Sequence, residues 1–220
     1  KKPNFATLNS YTMAKKVTIS KNRVEAFSDG VIAIIITLMV LEIRLPLIEE
    51  SYTAGHTWQL LSGMLPHLFS YMLSFVVIGI LWINHHSMFH QIKHTDNKLL
   101  WYNLHLLFWM SLIPLVTPLL GEHPFKPEAT ALYGFIMFTN AFAFTLMRWY
   151  AQDKANLYIE NISQRLRRKY RVMNGISSGL YFASIFTGYI SPYISLAIFV
   201  FIPAIYFMPL NVEVDNEAQA

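Results

Sequence analysis

Cysteine is absent from all 220 residues, which excludes disulfides, thiolate metal centres and cysteine nucleophiles. Charge is scarce too. Asp, Glu, Lys and Arg make up 14% of the chain, well below the roughly 25% of an average soluble domain. Most of the surface must therefore face something other than water. No small-residue cleavage site follows a short apolar core near the start, so no removable signal peptide is expected, and residues 1–22 read as a flexible, polar N-terminal arm. The formal charge of +4 does not indicate a nucleic-acid partner, because the basic residues flank apolar blocks and do not interleave with exposed aromatics on one face.

What the chain has in abundance is apolar sequence, 54% of it, in blocks of about 20 residues, the length that crosses a hydrocarbon core. Six blocks can be laid out, at about 24–44, 60–90, 99–119, 129–150, 172–190 and 192–209. The expected fold is an all-α membrane protein with six transmembrane helices per subunit: a channel domain over 23–210, between the arm at 1–22 and an acidic tail at 211–220. Fifteen of the 17 Lys and Arg fall on one side of this layout, against only Arg44 and Lys126 on the other. The positive-inside rule then puts both termini in the cytoplasm. The opposite loops, with Pro46, Glu49 and Glu50 in the first and Gly121 to Glu128 in the third, are short and poor in positive charge.

The second block is too long for the membrane alone, at roughly 50 Å, so its polar end, with Trp82, Asn84, His85, His86, His90 and His94, is expected to project into the cytoplasm. Tyr158, Ile162, Leu166 and Tyr170 recur every four residues beside Arg165, Arg167 and Arg168, which predicts an amphipathic helix at the inner headgroups. Gly175, Gly179 and Ala183 form a small-residue ladder suited to close packing on another helix, of this chain or of another subunit.

The first block opens with costly polar groups. An ionised Asp29 needs a partner or water, and Arg23 lies about 120° away around the helix, too far to supply one. Both must look to other helices, where Asn84, His85 and His86 of the second block and Asn103 and His105 of the third are expected at the same depth. A buried polar cluster is predicted there. Further along, Phe27, Gly30, Ile34, Thr37 and Leu41 recur at intervals of 3, 4, 3 and 4 along a single stripe. From spacing alone, this stripe reads as ordinary helix packing, the usual role of an aliphatic helix face, before it reads as a pore lining.

The run Arg23-x-x-x-Phe27-Ser28-Asp29, continued by Gly30 to Leu38, closely resembles the signature of the transmembrane protein 175 family of potassium channels. The six-block layout, the Trp82-x-x-His85-His86 segment and the Asn103-x-x-Leu106 start of the third block extend the resemblance over about residues 22–209. It implies a homotetramer in the lipid bilayer, a passive channel with no cofactor and no enzymatic activity, K+ as the permeant ion, and first helices lining a central pore. The constriction would then fall on Ile34, a threonine ring on Thr37 and an outer aliphatic ring on Leu41. Arg23, Phe27, Ser28, Asp29, Trp82, Asn84, His85, His86, Asn103 and His105 would form the pore-helix signature and its polar network. A Thr-Val-Gly-Tyr-Gly carbonyl filter is missing, and Thr187-Gly188-Tyr189 reads as a helix-end turn. Selection would rest instead on a narrow aliphatic ring that disfavours hydrated ions, helped by threonine hydroxyls.

Two other readings use the same residues. His86, His90 and His94, four apart, would share a helical face and could hold a metal, as in a membrane metalloenzyme. Asp29 and the histidines could instead relay protons in a proton-coupled transporter, although no inverted repeat with broken helices accompanies them.

Overall fold

A computed structural model describes residues 20–43, 54–155, 157–159 and 164–207. Most of the N-terminal arm, the acidic tail, the loop with Arg44, Pro46, Glu49 and Glu50, and Ile162 lie outside the described residues. The elements are helical throughout: α1 (Lys21–Leu41), α2 (Ala54–Gly63), α3 (Leu65–His90), α4 (Asn97–Ser111), α5 (Ile113–Glu122), α6 (Pro127–Trp149), a π-helical turn (Tyr150–Lys154), α7 (Gln164–Ile190) and α8 (Pro192–Phe207). Helices are what a bilayer demands, because only they satisfy every backbone N–H and C=O within one segment.

Four stretches are long and apolar enough to cross a membrane: Lys21–Leu41, Gly55–His90, Asn97–Glu122 and Pro127–Lys154. Each apolar block of the sequence coincides with a helix or a broken pair of helices. The pairs break where proline dictates. Pro66 sits in the first turn of α3 and Pro114 in the first turn of α5, and each lacks the N–H that would continue the preceding helix. Beside the second break, Asn140 Nδ2 of α6 donates to the Trp109 carbonyl at 3.1 Å, the kind of side-chain support that lets a membrane helix bend. α7 is long but opens on Arg165, Arg167, Arg168, Lys169 and Arg171, whereas α8 is apolar and short.

α6 pairs most extensively with α7, and α3 with α5. At Gly121 an added Cβ would lie 2.8 Å from the His67 Cα, so α5 meets α3 nearly backbone to backbone. A buried polar trio ties the centre of the bundle: Thr117 Oγ1 donates to Ser74 Oγ at 2.8 Å, and Ser74 Oγ lies 2.9 Å from the Tyr133 hydroxyl. Nothing in the sequence reading pointed to it.

Two expectations change and a third narrows. Tyr158 is not on an amphipathic helix; it forms an antiparallel bridge with Ile92, flanked by Lys93 N–H to Leu157 O at 2.8 Å and Ile159 N–H to Gln91 O at 3.0 Å. The period of four fails at Tyr158 because the backbone at 157–159 pairs with the link after α3. α3 ends at His90, so His94 lies in the link and does not share a helical face with His86 and His90. The Gly175 and Gly179 ladder meets nothing within 4 Å and is exposed, so its partner is not among the described residues of this chain.

Candidate functional site

α1 has two faces with different chemistry. Val24, Ser28, Ile32, Ile35 and Met39, spaced 4, 4, 3 and 4, are buried against the bundle. The stripe on the other side is open: Phe27 is 54% exposed, Ile34 59% and Leu41 73%, with Gly30 and Thr37 also exposed. From Gly30 to Leu41 this helix carries no charged residue. Thr37 Oγ1 donates to the Ile34 carbonyl at 2.9 Å. That bond consumes the only hydroxyl proton and leaves the oxygen lone pairs available to something electropositive.

The buried face carries a three-helix clasp. His85 Nε2 of α3 lies 2.8 Å from Asn103 Oδ1 of α4, Asn103 Nδ2 donates to Ser28 Oγ of α1 at 2.8 Å, and Ser28 Oγ donates to the Val24 carbonyl at 2.9 Å. Ser28 and His85 are wholly buried and Asn103 nearly so. The order of donors follows from its far end. Ser28 spends its proton on a carbonyl, so it accepts from the Asn103 amide, which turns Oδ1 toward His85 and requires the proton on Nε2. The ring stacks on Phe89 with centroids 4.5 Å apart, and its Nδ1 is left buried without a partner.

A second ladder flanks the clasp. Trp82 Nε1 donates to Asp29 Oδ1 at 3.0 Å, and His86 Nδ1 lies 3.0 Å from Glu25 Oε1. Glu25 and Asp29 are four apart on α1, and Trp82 and His86 four apart on α3, so two antiparallel helix faces meet rung to rung. The Trp82 and His86 rings stack at 6.0 Å, and His86 meets His90 edge-on at 4.9 Å.

The expected cluster thus assembles from Ser28, Asp29, Trp82, His85, His86 and Asn103. Three candidates stand apart. Asn84 points 100° from His85 and donates to Ile80 O of its own helix at 2.8 Å, and exposed His105 accepts from Trp109 Nε1 at 2.9 Å. Arg23 is exposed and, eleven residues before Ile34, lies about 20° from it around the helix, on the side of the open stripe. Glu25 was missed, although its position one turn before Asp29 signals a shared face.

The family described as endosomal/lysosomal potassium channel TMEM175 matches residues 23–114, the segment that holds both α1 faces and their partners. A potassium channel of Chryseobacterium sp. (strain P1-3) is 35% identical over 87% of this chain and 94% of its own length. One of Streptomyces collinus is 32% identical over 80% of this chain and 85% of its own. The TMEM175 of Gallus gallus, named an endosomal/lysosomal proton channel, is 33% identical, but over 53% of this chain and only 24% of its own length. Among solved structures, that of a lysosomal potassium-selective channel TMEM175 homolog from Chamaesiphon minutus superposes with a TM-score of 0.74 at 28% identity, covering 84% of this chain and 95% of that one. With the Phe27-Ser28-Asp29 helix end, the clasp beneath it and these relatives taken together, this integral membrane chain belongs to the TMEM175 family of channels.

Proposed function

We propose that the chain forms a homotetrameric, potassium-selective channel in a prokaryotic cell membrane, with six crossings per subunit and both termini cytoplasmic. Ions pass without a cofactor through a central pore lined by four copies of α1. One observation carries this reading: the Ile34, Thr37 and Leu41 stripe is turned out of the subunit, uncharged, and holds a hydroxyl whose lone pairs are unspent. Four such stripes about an axis give an Ile34 ring, a Thr37 ring about 4.5 Å beyond it and a Leu41 ring about 6 Å further. The Ile34 ring strips or excludes hydrated ions, and the Thr37 oxygens replace part of the lost shell. Potassium sheds water more cheaply than sodium and is favoured.

The animal relatives named as proton channels raise the alternative of proton movement through Asp29 and the histidines. The clasp argues against a relay. Its donor chain runs through an amide and stops on the Val24 carbonyl, neither of which hands a proton onward in its ordinary form.

Purified channel in planar bilayers, under a potassium-to-sodium gradient at neutral pH, is expected to reverse toward the potassium potential. A reversal potential that ignores potassium overturns the proposal, and one that follows the proton gradient favours the alternative. Thr37→Ala is expected to keep current while lowering potassium-over-sodium preference by about three- to tenfold, the effect of roughly 0.7–1.4 kcal/mol of lost ion coordination. An unchanged reversal potential in that variant would take Thr37 out of the selectivity mechanism.

A further inference from the structure

Arg148, near the end of α6, is only 3% exposed. Its guanidinium lies 4.5 Å from the Tyr170 ring centre and 5.0 Å from that of Phe144, contacts that supply π-electron density but no hydrogen-bond acceptor in line with its N–H groups. Nε, Nη1 and Nη2 are all buried without a hydrogen-bond partner. The ion pairs of Asp153 with Arg171, at 2.8 Å, and of Glu25 with His86, at 3.0 Å, do not involve Arg148. A buried cation with five unmet N–H groups is a costly arrangement unless an anion completes it.

Neighbours are unmet in the same sense. Asn174 Nδ2 and Arg167 Nε are buried and lack partners, Gln152 and the Tyr158 hydroxyl face only each other, and the Arg167 guanidinium lies 5.8 Å from the Tyr158 ring centre. Burial pushes the Tyr158 phenol above its ordinary value, against the opposing pull of Arg148 and Arg167, so it remains a hydroxyl. Apart from Gln91 Oε1, beside the Ile92–Tyr158 bridge, the unmet atoms of this neighbourhood can all donate, and four of them belong to the two guanidinium ions. Arg167, Tyr170 and Asn174 share one face of α7 through their spacing of three and four.

An apolar cleft of about 50 Å³ begins at this cluster, sharing Phe144 and Asn174 with it, and runs between α3, α6, α7 and α8 along Val77, Leu81 and Ile202. Donors and cations at one end and an apolar channel at the other match a lipid better than a free ion.

We propose that Arg148, with Tyr158, Arg167 and Asn174, binds a phosphate-class anion, the phosphodiester headgroup of an anionic lipid from the leaflet on the basic side, with part of an acyl chain in the adjoining cleft. Arg165, Arg168 and Lys169 in the first turns of α7 draw such lipids to this end of the bundle.

Thermal unfolding of the purified full chain in zwitterionic detergent tests the site, and the readout does not depend on conduction. Titrated separately with phosphatidylglycerol, phosphatidylcholine and sodium phosphate, the wild type is expected to gain roughly 5–10 °C at about 100 times the dissociation constant of phosphatidylglycerol, with no comparable gain from phosphatidylcholine. Arg148→Met is expected to abolish the gain. Arg167→Gln and Asn174→Ala, milder changes, are expected to fold and to move the titration midpoint upward, about tenfold for Arg167→Gln. Equal gains from the two lipids, an undiminished gain in Arg148→Met, or no response of the wild type to any of the three overturns the site. A gain from sodium phosphate without one from phosphatidylglycerol overturns the lipid assignment. Should Arg148→Met fail to fold, unchanged midpoints in both milder variants overturn the site.

Discussion

Ile34→Asn is expected to raise unit conductance about tenfold, a change that corresponds to a barrier lowered by about 1.4 kcal/mol. In the proposed pore, four Ile34 side chains form a constriction with no group that holds water, and a narrow aliphatic ring dewets. Asparagine occupies similar space and offers an amide donor and acceptor, so the water column stays continuous. The substitution should spare the fold, because Ile34 is 59% exposed within the subunit, while the neighbouring Ile35 is 4% exposed and packs into the core. Ile35→Asn is therefore the control: it buries an unmet amide and should cost stability without widening any path. Single-channel recordings in symmetrical potassium check the prediction. If Ile34→Asn leaves the conductance as it was, the residue is not in the conduction path, and the assignment of the open stripe to the pore fails with it.

Asn103→Leu is expected to destabilise the subunit by about 2–4 kcal/mol, visible as a fall in melting temperature of roughly 5–15 °C. A hydrogen bond between membrane helices averages only about 0.6 kcal/mol, so two lost bonds alone would not produce this. The larger cost comes from position. Asn103 is the middle link, and its removal leaves the His85 Nε2–H, on a wholly buried ring, without an acceptor between α1, α3 and α4. Leucine has no atom that could stand in. Ser28→Ala removes one end of the chain and should cost about half as much, since only the Asn103 amide donor loses its acceptor. Melting curves in detergent measure both. A loss below about 1 kcal/mol for Asn103→Leu would mean that packing of the three helices, and not the clasp, holds α1 in place.

The class of fold and the depth of the polar cluster were legible in the amino-acid pattern because the bilayer leaves little choice. Apolar runs of spanning length must be helices, and Ser28, Asp29, His85, His86 and Asn103 at matching depth must find one another. What stayed hidden depended on rotation and on links. Depth does not tell which of two adjacent residues faces a partner, so Asn84 and His105 were grouped with His85 and Asn103, although a step of one or two residues turns each of them away. Spacing by four reads as helix even across a chain reversal, which is why Tyr158 was placed on the helix of Tyr170 and His94 on that of His86. Arg148 looked like one more cytoplasmic charge. Its burial arises from Phe144 one turn back and Tyr170 on α7, and the second of these is a tertiary contact that no local pattern announces.

The polar attachments of α1 are unevenly distributed along its length. Glu25, Ser28 and Asp29, which reach His86, Asn103 and Trp82, all lie within the first nine residues, whereas beyond them the helix holds on through apolar side chains, Ile32, Ile35 and Met39 with Val31 and Ile36 beside them. Dispersion contacts are short in range and indifferent to sliding, while the hydrogen bonds fix direction as well as distance. Mechanically, the helix is a cantilever, clamped at one end and merely leaning at the other. A given angular displacement moves Leu41 several times farther than Phe27, since the lever arm grows by 1.5 Å per residue from the clamp.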